Sequence, residues 1–195
     1  MIVLETERLV LRPFTRDDRD ALAALYADLE VTRYIGDGST LGPERIEHML
    51  NCAITDHERT WSDETLARLP QLRLSVERDA PFSLWAAVHK PDGRIIGRCG
   101  LLAWDLDGRK EVEVGYILAK SHWGRGLATE AARASRDHAF ARLGVDHVIS
   151  VIHRDNAGSK RVAVKNGMRH DHNSVVKDVP VGVYAIERPE WEKLR

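Results

Sequence analysis

A chain of 195 residues with 43% hydrophobic and 30% charged side chains has enough apolar material for one sizeable core, which excludes wholesale disorder and argues for a single domain spanning residues 1–195. Its 29 basic and 30 acidic residues leave a net charge of -1, so no global field draws it to nucleic acid or to an anionic membrane. Cys52 and Cys99 lie far apart without metal-ligand spacing, no apolar run approaches the roughly 18 residues of a membrane span, and a reducing, cytoplasmic setting is expected. In chain order, Leu9–Leu11 reads as a short strand, and Thr15 with Asp17 and Asp18 supplies a cap and first-turn acids for a helix from Arg16 to about Ala27. Pro43 and Glu44 open a second helix, with Ile46, Met49, Leu50 and Ile54 on one face, ending near His57. Residues 58–81 have no clean period and are expected to form an excursion beside the active face. Phe82–His89, Ile95–Trp104 and Val112–Leu118, separated by Pro91-Asp92-Gly93 and Asp107-Gly108, predict an antiparallel meander.

The pattern then changes to helix over Gly126–Leu143, strand over His147–His153 and helix over Asn156–Asn166. Val148–Ile152 is apolar on both faces apart from Ser150, which predicts a central strand covered by helices on both sides. Two further strands are expected around Ser174–Lys177 and Val181–Glu187; if exposed, they offer a surface for a homodimer. One mixed α/β domain accounts for this order.

The most informative stretch runs from Val114-Gly115-Tyr116-Ile117-Leu118 to Trp123-Gly124-Arg125-Gly126-Leu127-Ala128-Thr129. A strand leads into glycines and the glycines into a helix, whose free N-terminal amides and partial positive charge suit an anion such as a pyrophosphate. A plain tight turn is the alternative. The spacing is not that of a dinucleotide fingerprint, and no Gly-Lys-Ser/Thr follows to hold a triphosphate, so dehydrogenase and kinase readings are weak. His170, Asp171 and His172 resemble part of a metal site without a third or fourth ligand at suitable spacing, and no metal is expected. Cys99 in a strand reads as a buried, inert thiol.

Together these segments resemble the GNAT superfamily of acetyl-CoA-dependent N-acetyltransferases. The frame Trp123-x-x-Gly126-x-Ala128 departs at its first position from the general Gln/Arg-x-x-Gly-x-Gly/Ala, but is similar to the ribosomal-protein-alanine (RimJ/RimL-type) branch. Asn156-x-x-Ser159, Lys165-Asn166-Gly167-Met168, the opening Thr6-Glu7-Arg8-Leu9-Val10-Leu11-Arg12-Pro13 and Ile96-Gly97-x-x-Gly100-Leu101 extend the likeness over nearly the whole chain; Val164 and Met168 depart from it. The resemblance implies an α/β fold with a central, mostly antiparallel twisted sheet flanked by helices. It also implies acetyl-CoA as cosubstrate, and an amine acceptor that is a protein N-terminus or a small molecule.

Acetyl transfer to an amine needs a neutral nucleophile, a place for the developing oxyanion and a proton for the thiolate; it needs no metal. By resemblance, Ile117, Trp123, Gly124, Arg125, Gly126, Leu127, Ala128, Thr129 and Asn156 would contact the cofactor; Trp123 could instead be core packing, and Asn156 a helix cap. Glu113 would be the general base acting through water, or a solvated strand glutamate, with Glu111 at the surface. Asn156–Met168 contains no Tyr to serve as the acid, so Ser159 is the hydroxyl expected at the thiolate, with Tyr116 as wall or acid. The acceptor is expected between the two early helices and the excursion. A catalytically silent CoA-binding module of the same fold is the alternative function.

Overall fold

The computed structural model describes residues 2–60 and 83–195. Among the described residues eight strands form one sheet: β1 (Leu4–Glu5), β2 (Leu9–Arg12), β3 (Leu84–His89), β4 (Arg94–Leu106), β5 (Arg109–Leu118), β6 (His147–His153), β7 (Arg169–Val176) and β8 (Val179–Glu187). Their order is β1-β2-β3-β4-β5-β6-β8-β7, and every neighbouring pair is antiparallel except β5 and β6. The α-helices among the described residues are α1 (Arg19–Tyr26), α2 (Leu29–Thr32), α3 (Pro43–Thr60), α4 (Leu127–Arg142), α5 (Ala157–Lys165) and α6 (Arg188–Glu192). The excursion expected over 58–81 lies, from residue 61 onward, outside the described residues.

The meander forms as its turn residues predict: Gly93 and Gly108 adopt φ of +67° and +74° at the two reversals. Side-chain alternation divides the sheet into two faces. On one, Cys99, Leu101, Val112, Val114 and Leu118 pack against α4, whose Ala131, Ala132, Ser135 and Ala139 are fully buried; such small side chains let the helix lie close to the strands. Burial pushes the Cys99 thiol up to about 12, so it is inert at neutral pH. On the other face, Ala86, Ile95 and Ile117 meet Leu22, Leu25 and Tyr26 of α1 and Ile46 and Leu50 of α3.

Four expectations change. The helix expected from Arg16 begins as a 3-10 turn, Arg16–Asp18, because Asp18 turns back to accept the Thr15 amide (2.7 Å) and a two-pronged Arg12 guanidinium (2.7 and 2.8 Å). β6 has a helix on one side only: Ile149 and Val151 pack with strand residues Leu106, Val176, Val183 and Ala185, and no helix residue joins that cluster among the described residues. The strand expected at Ser174 starts at Arg169; its exposed Arg169–Asn173 stretch lacks an apolar alternation, and pairing with β8 imposes the conformation. Glu111 is not a free surface group, since its carboxylate is 3.1 Å from His147 Nε2.

His138 on α4 packs edge-on against Trp85, 5.8 Å between centroids, and burial, followed by the charge of Arg142, pushes it down to about 4. Between this value and the ordinary 6.5 of an unfolded chain, the unfolded state binds more protons. Stability from the neutral imidazole is therefore complete above about pH 6.5 and is lost as the pH falls towards 4, by on the order of 2 kcal/mol. Urea midpoints at pH 7.5 and 4.5 should converge less for wild type than for His138→Gln; equal losses in both proteins would remove His138 from the account.

Candidate active site

β5 and β6 run parallel but part almost at once. Glu113 opposite Ile149 is the one registered pair between them. Two side chains bridge the parting: Ser150 Oγ donates to the Val114 carbonyl at 2.8 Å, and the Val151 amide donates to Glu113 Oε1 at 3.1 Å. Glu113 is 7% exposed, so its carboxylate sits in the split rather than on a solvated strand face.

Below the split the chain passes through a 3-10 turn, Lys120–His122, into the glycines. Gly124 and Gly126 have φ of +73° and +80°, a left-handed conformation that glycine adopts without Cβ strain. Gly126 caps α4 with no side-chain bond, leaving the amides of the first turn for an anion. The turn is held from behind by the opening strand. Glu130 accepts the Arg8 amide (2.8 Å), Arg8 Nε (2.7 Å) and the Thr6 hydroxyl (2.6 Å), while Arg8 Nη1 donates to the Arg125 carbonyl at 2.9 Å. Burial alone would raise the Glu130 carboxyl, but these donors hold it below its ordinary value.

The glycine turn, the start of α5 and the end of β5 enclose a cleft of about 480 Å³. Of the residues expected from sequence, it is lined by Ile117, Trp123, Gly124, Gly126, Leu127, Ala128, Thr129, Asn156 and Ser159. Arg125 and Glu113 are not among its lining: Arg125 offers its carbonyl to Arg8, and Glu113 faces the Val151 amide. Trp123 is not core; it is 47% exposed, and its Nε1 donates to the Leu118 carbonyl at 2.7 Å, fixing the indole beside the turn. Asn156 caps α5 by accepting the Ser159 amide at 3.0 Å and still faces the cleft.

Tyr116, expected as wall or acid, also lines the cleft, as do two further groups. The Tyr116 hydroxyl donates to the Ser159 carbonyl at 3.1 Å; burial above all pushes it well above the ordinary tyrosine value, so it stays protonated and can donate a hydrogen bond. Arg161 and Lys165 sit one turn apart on α5, two cations on one edge. Arg33 and Tyr34, following α2, form the far side, where the Tyr34 ring lies 5.0 Å from that of His153. An i,i+4 cationic pair after Asn156 was a signal available in the sequence; Tyr34 meets the cleft only through the tertiary fold.

Residues 8–169 match the family model described as the acetyltransferase (GNAT) domain. The chain is 35% identical to the uncharacterized protein YkkB of Bacillus subtilis (strain 168) over 55% of its own length and 63% of that relative's. It is 28% identical to the uncharacterized N-acetyltransferase YoaA of the same organism, over 87% of this chain and 84% of the relative. Among solved structures, RimL, the ribosomal L7/L12 alpha-N-protein acetyltransferase in complex with coenzyme A, superposes with a TM-score of 0.72 at 16% identity, covering 96% of this chain and 98% of that one. No helix among the described residues is long and apolar enough to cross a membrane.

Proposed function

The chain belongs to the GNAT family of acetyltransferases, and from that premise we propose that it transfers acetyl from acetyl-CoA to a primary amine by direct attack of the amine on the thioester. One observation carries the cofactor assignment: two left-handed glycines present helix amides without a side-chain cap to a cleft lined by the end of β5 and the start of α5. Pyrophosphate would sit on the first-turn amides, with Arg161 and Lys165 as counter-charges along the edge. The pantetheine arm would run past Ile117 and Asn156.

At the split the backbone itself becomes a reagent. Val114 turns its carbonyl towards β6, so by two-residue alternation Tyr116 turns its amide the same way, beyond the last registered pair. We assign this amide to the developing oxyanion, where a preorganised donor is worth most. Collapse of the tetrahedral intermediate breaks the carbon–sulfur bond; the departing thiolate accepts a hydrogen bond from the Ser159 hydroxyl and takes up, through water, the proton lost by the attacking amine, while the Tyr116 phenol on the same wall can add a second hydrogen bond by turning away from the Ser159 carbonyl. Glu113 serves as base through water. An α-amine, with a pKa near 7.7 to 8.0, is already partly neutral at pH 7, whereas a lysine amine near 10.4 is not. A protein N-terminus is therefore the acceptor class this site suits with least assistance, as the likeness to the ribosomal-protein-alanine branch suggests; it would enter past Arg33 and Tyr34.

Purified protein mixed with acetyl-CoA and a panel of peptides, polyamines and aminoglycosides should release free thiol, fastest with peptides bearing a free α-amine. Thiol release confined to small amines would move the acceptor class, and CoA binding with no thiol release across the panel would identify a silent CoA-binding module. Ser159→Ala and Tyr116→Phe should each lower kcat by about tenfold with little change in pH profile, and the double variant by more than either alone. Unchanged kcat in all three would return both hydroxyls to the cleft wall.

A further inference from the structure

Beside the phosphate end of the cleft, three side chains from separate parts of the chain converge. His89 ends β3, Asp92 lies in the β3–β4 turn, and His122 closes the 3-10 turn that precedes the glycines. One ligand atom from each lies within 4.8 Å of the other two. His89 is 6% exposed, with Nδ1 3.0 Å from Asp92 Oδ1; the His89 and His122 rings are 5.4 Å apart at 69°. His122 Nδ1 lies 2.9 Å from Ser121 Oγ, which engages one of its two ring nitrogens.

Two imidazoles and one carboxylate form a donor set suited to a borderline divalent transition ion, and three protein ligands leave a fourth position open. Arg94 and Arg125, whose charges reach His122, oppose a hard ion held only by ionic attraction. They oppose less an ion bound through nitrogen lone pairs.

We propose that His89, Asp92 and His122 bind one divalent transition ion of the zinc class, leaving a coordination position for water or an anionic oxygen. Such an ion would pin the β3–β4 turn to the loop two residues before Gly124 and so stiffen the approach to the glycine turn. Its test uses metal alone, so it does not depend on the proposed acetyl transfer.

Untagged, chelator-treated protein titrated calorimetrically with Zn²⁺ should bind one equivalent, and Co²⁺ should give visible absorption of low-symmetry, four- or five-coordinate type. Mg²⁺ should give no binding heat. Asp92→Asn and His122→Gln, both at positions accessible enough to leave the fold intact by circular dichroism, should each weaken Zn²⁺ binding at least about tenfold. His172→Gln, in the exposed cluster with Asp107 and Asp171, should leave it unchanged. Absence of saturable Zn²⁺ binding, binding unaffected by both site variants, or binding lost on His172→Gln would each overturn the proposal.

Discussion

Replacing Gly126 with valine should abolish the stabilisation that CoA confers on this protein. A ligand at about 100 times its dissociation constant adds roughly 2.7 kcal/mol to the native state, readable as a thermal shift. A Cβ at Gly126 would meet Arg8 Nη2 at 3.5 Å, an ordinary contact, so the protein itself has room for it. The penalty comes from the backbone: φ is +80°, and a β-branched residue held there costs roughly 1–3 kcal/mol. The turn relieves that cost by rotating, which withdraws the amides from the phosphate. Gly126→Ala carries a similar backbone penalty with less bulk at the phosphate and should show a reduced shift, while Gly126→Val should fold and show none. A full shift in the valine variant would place the phosphate site elsewhere.

Glu113 has two duties in this account, and two substitutions separate them. Glu113→Gln keeps an oxygen for the Val151 amide and removes the charge; it should bind CoA normally and lose about 100-fold in turnover, most at low pH, where more of the amine carries a proton to be removed. Glu113→Ala also leaves that amide without its acceptor, a loss of about 1–3 kcal/mol that should appear as a lower Tm and weaker CoA binding. Full activity in the glutamine variant beside an inactive alanine variant would make Glu113 a strut between strands and nothing more. Steady-state rates from pH 6 to 9 with a peptide acceptor decide between these outcomes.

Much of this arrangement is written locally. Gly93 and Gly108 mark the reversals of the meander, and the glycine turn is visible because a strand pattern, two small residues and a helix pattern follow one another. α2 is too short for a period to register, and α6 is announced only by Pro189 near its start, with Trp191 stacking on Phe140 at 5.0 Å to hold it. The split between β5 and β6 leaves no local mark. Val112–Leu118 reads as an uninterrupted strand, and whether Glu113 meets solvent, substrate or a neighbouring amide depends on where residue 151 lies. Trp123 misleads for a similar reason: an aromatic before a helix suggests core, yet its indole N–H is used by Leu118 and the ring stays at the rim. Arg125 stands between the two glycines in sequence, but in the left-handed turn it contributes a carbonyl to Arg8.

The grip of Arg8 on Glu130 joins positions 122 apart in the chain. A contact of that span forms late, since a long stretch of chain must be ordered before it closes. On a growing polypeptide the glycine turn can take its final shape only after α4 has been made and has docked against a strand synthesised near the beginning. Cofactor therefore cannot template the early stages of folding. It can only capture a molecule whose first and middle segments have already met, which makes its binding a report on completed assembly.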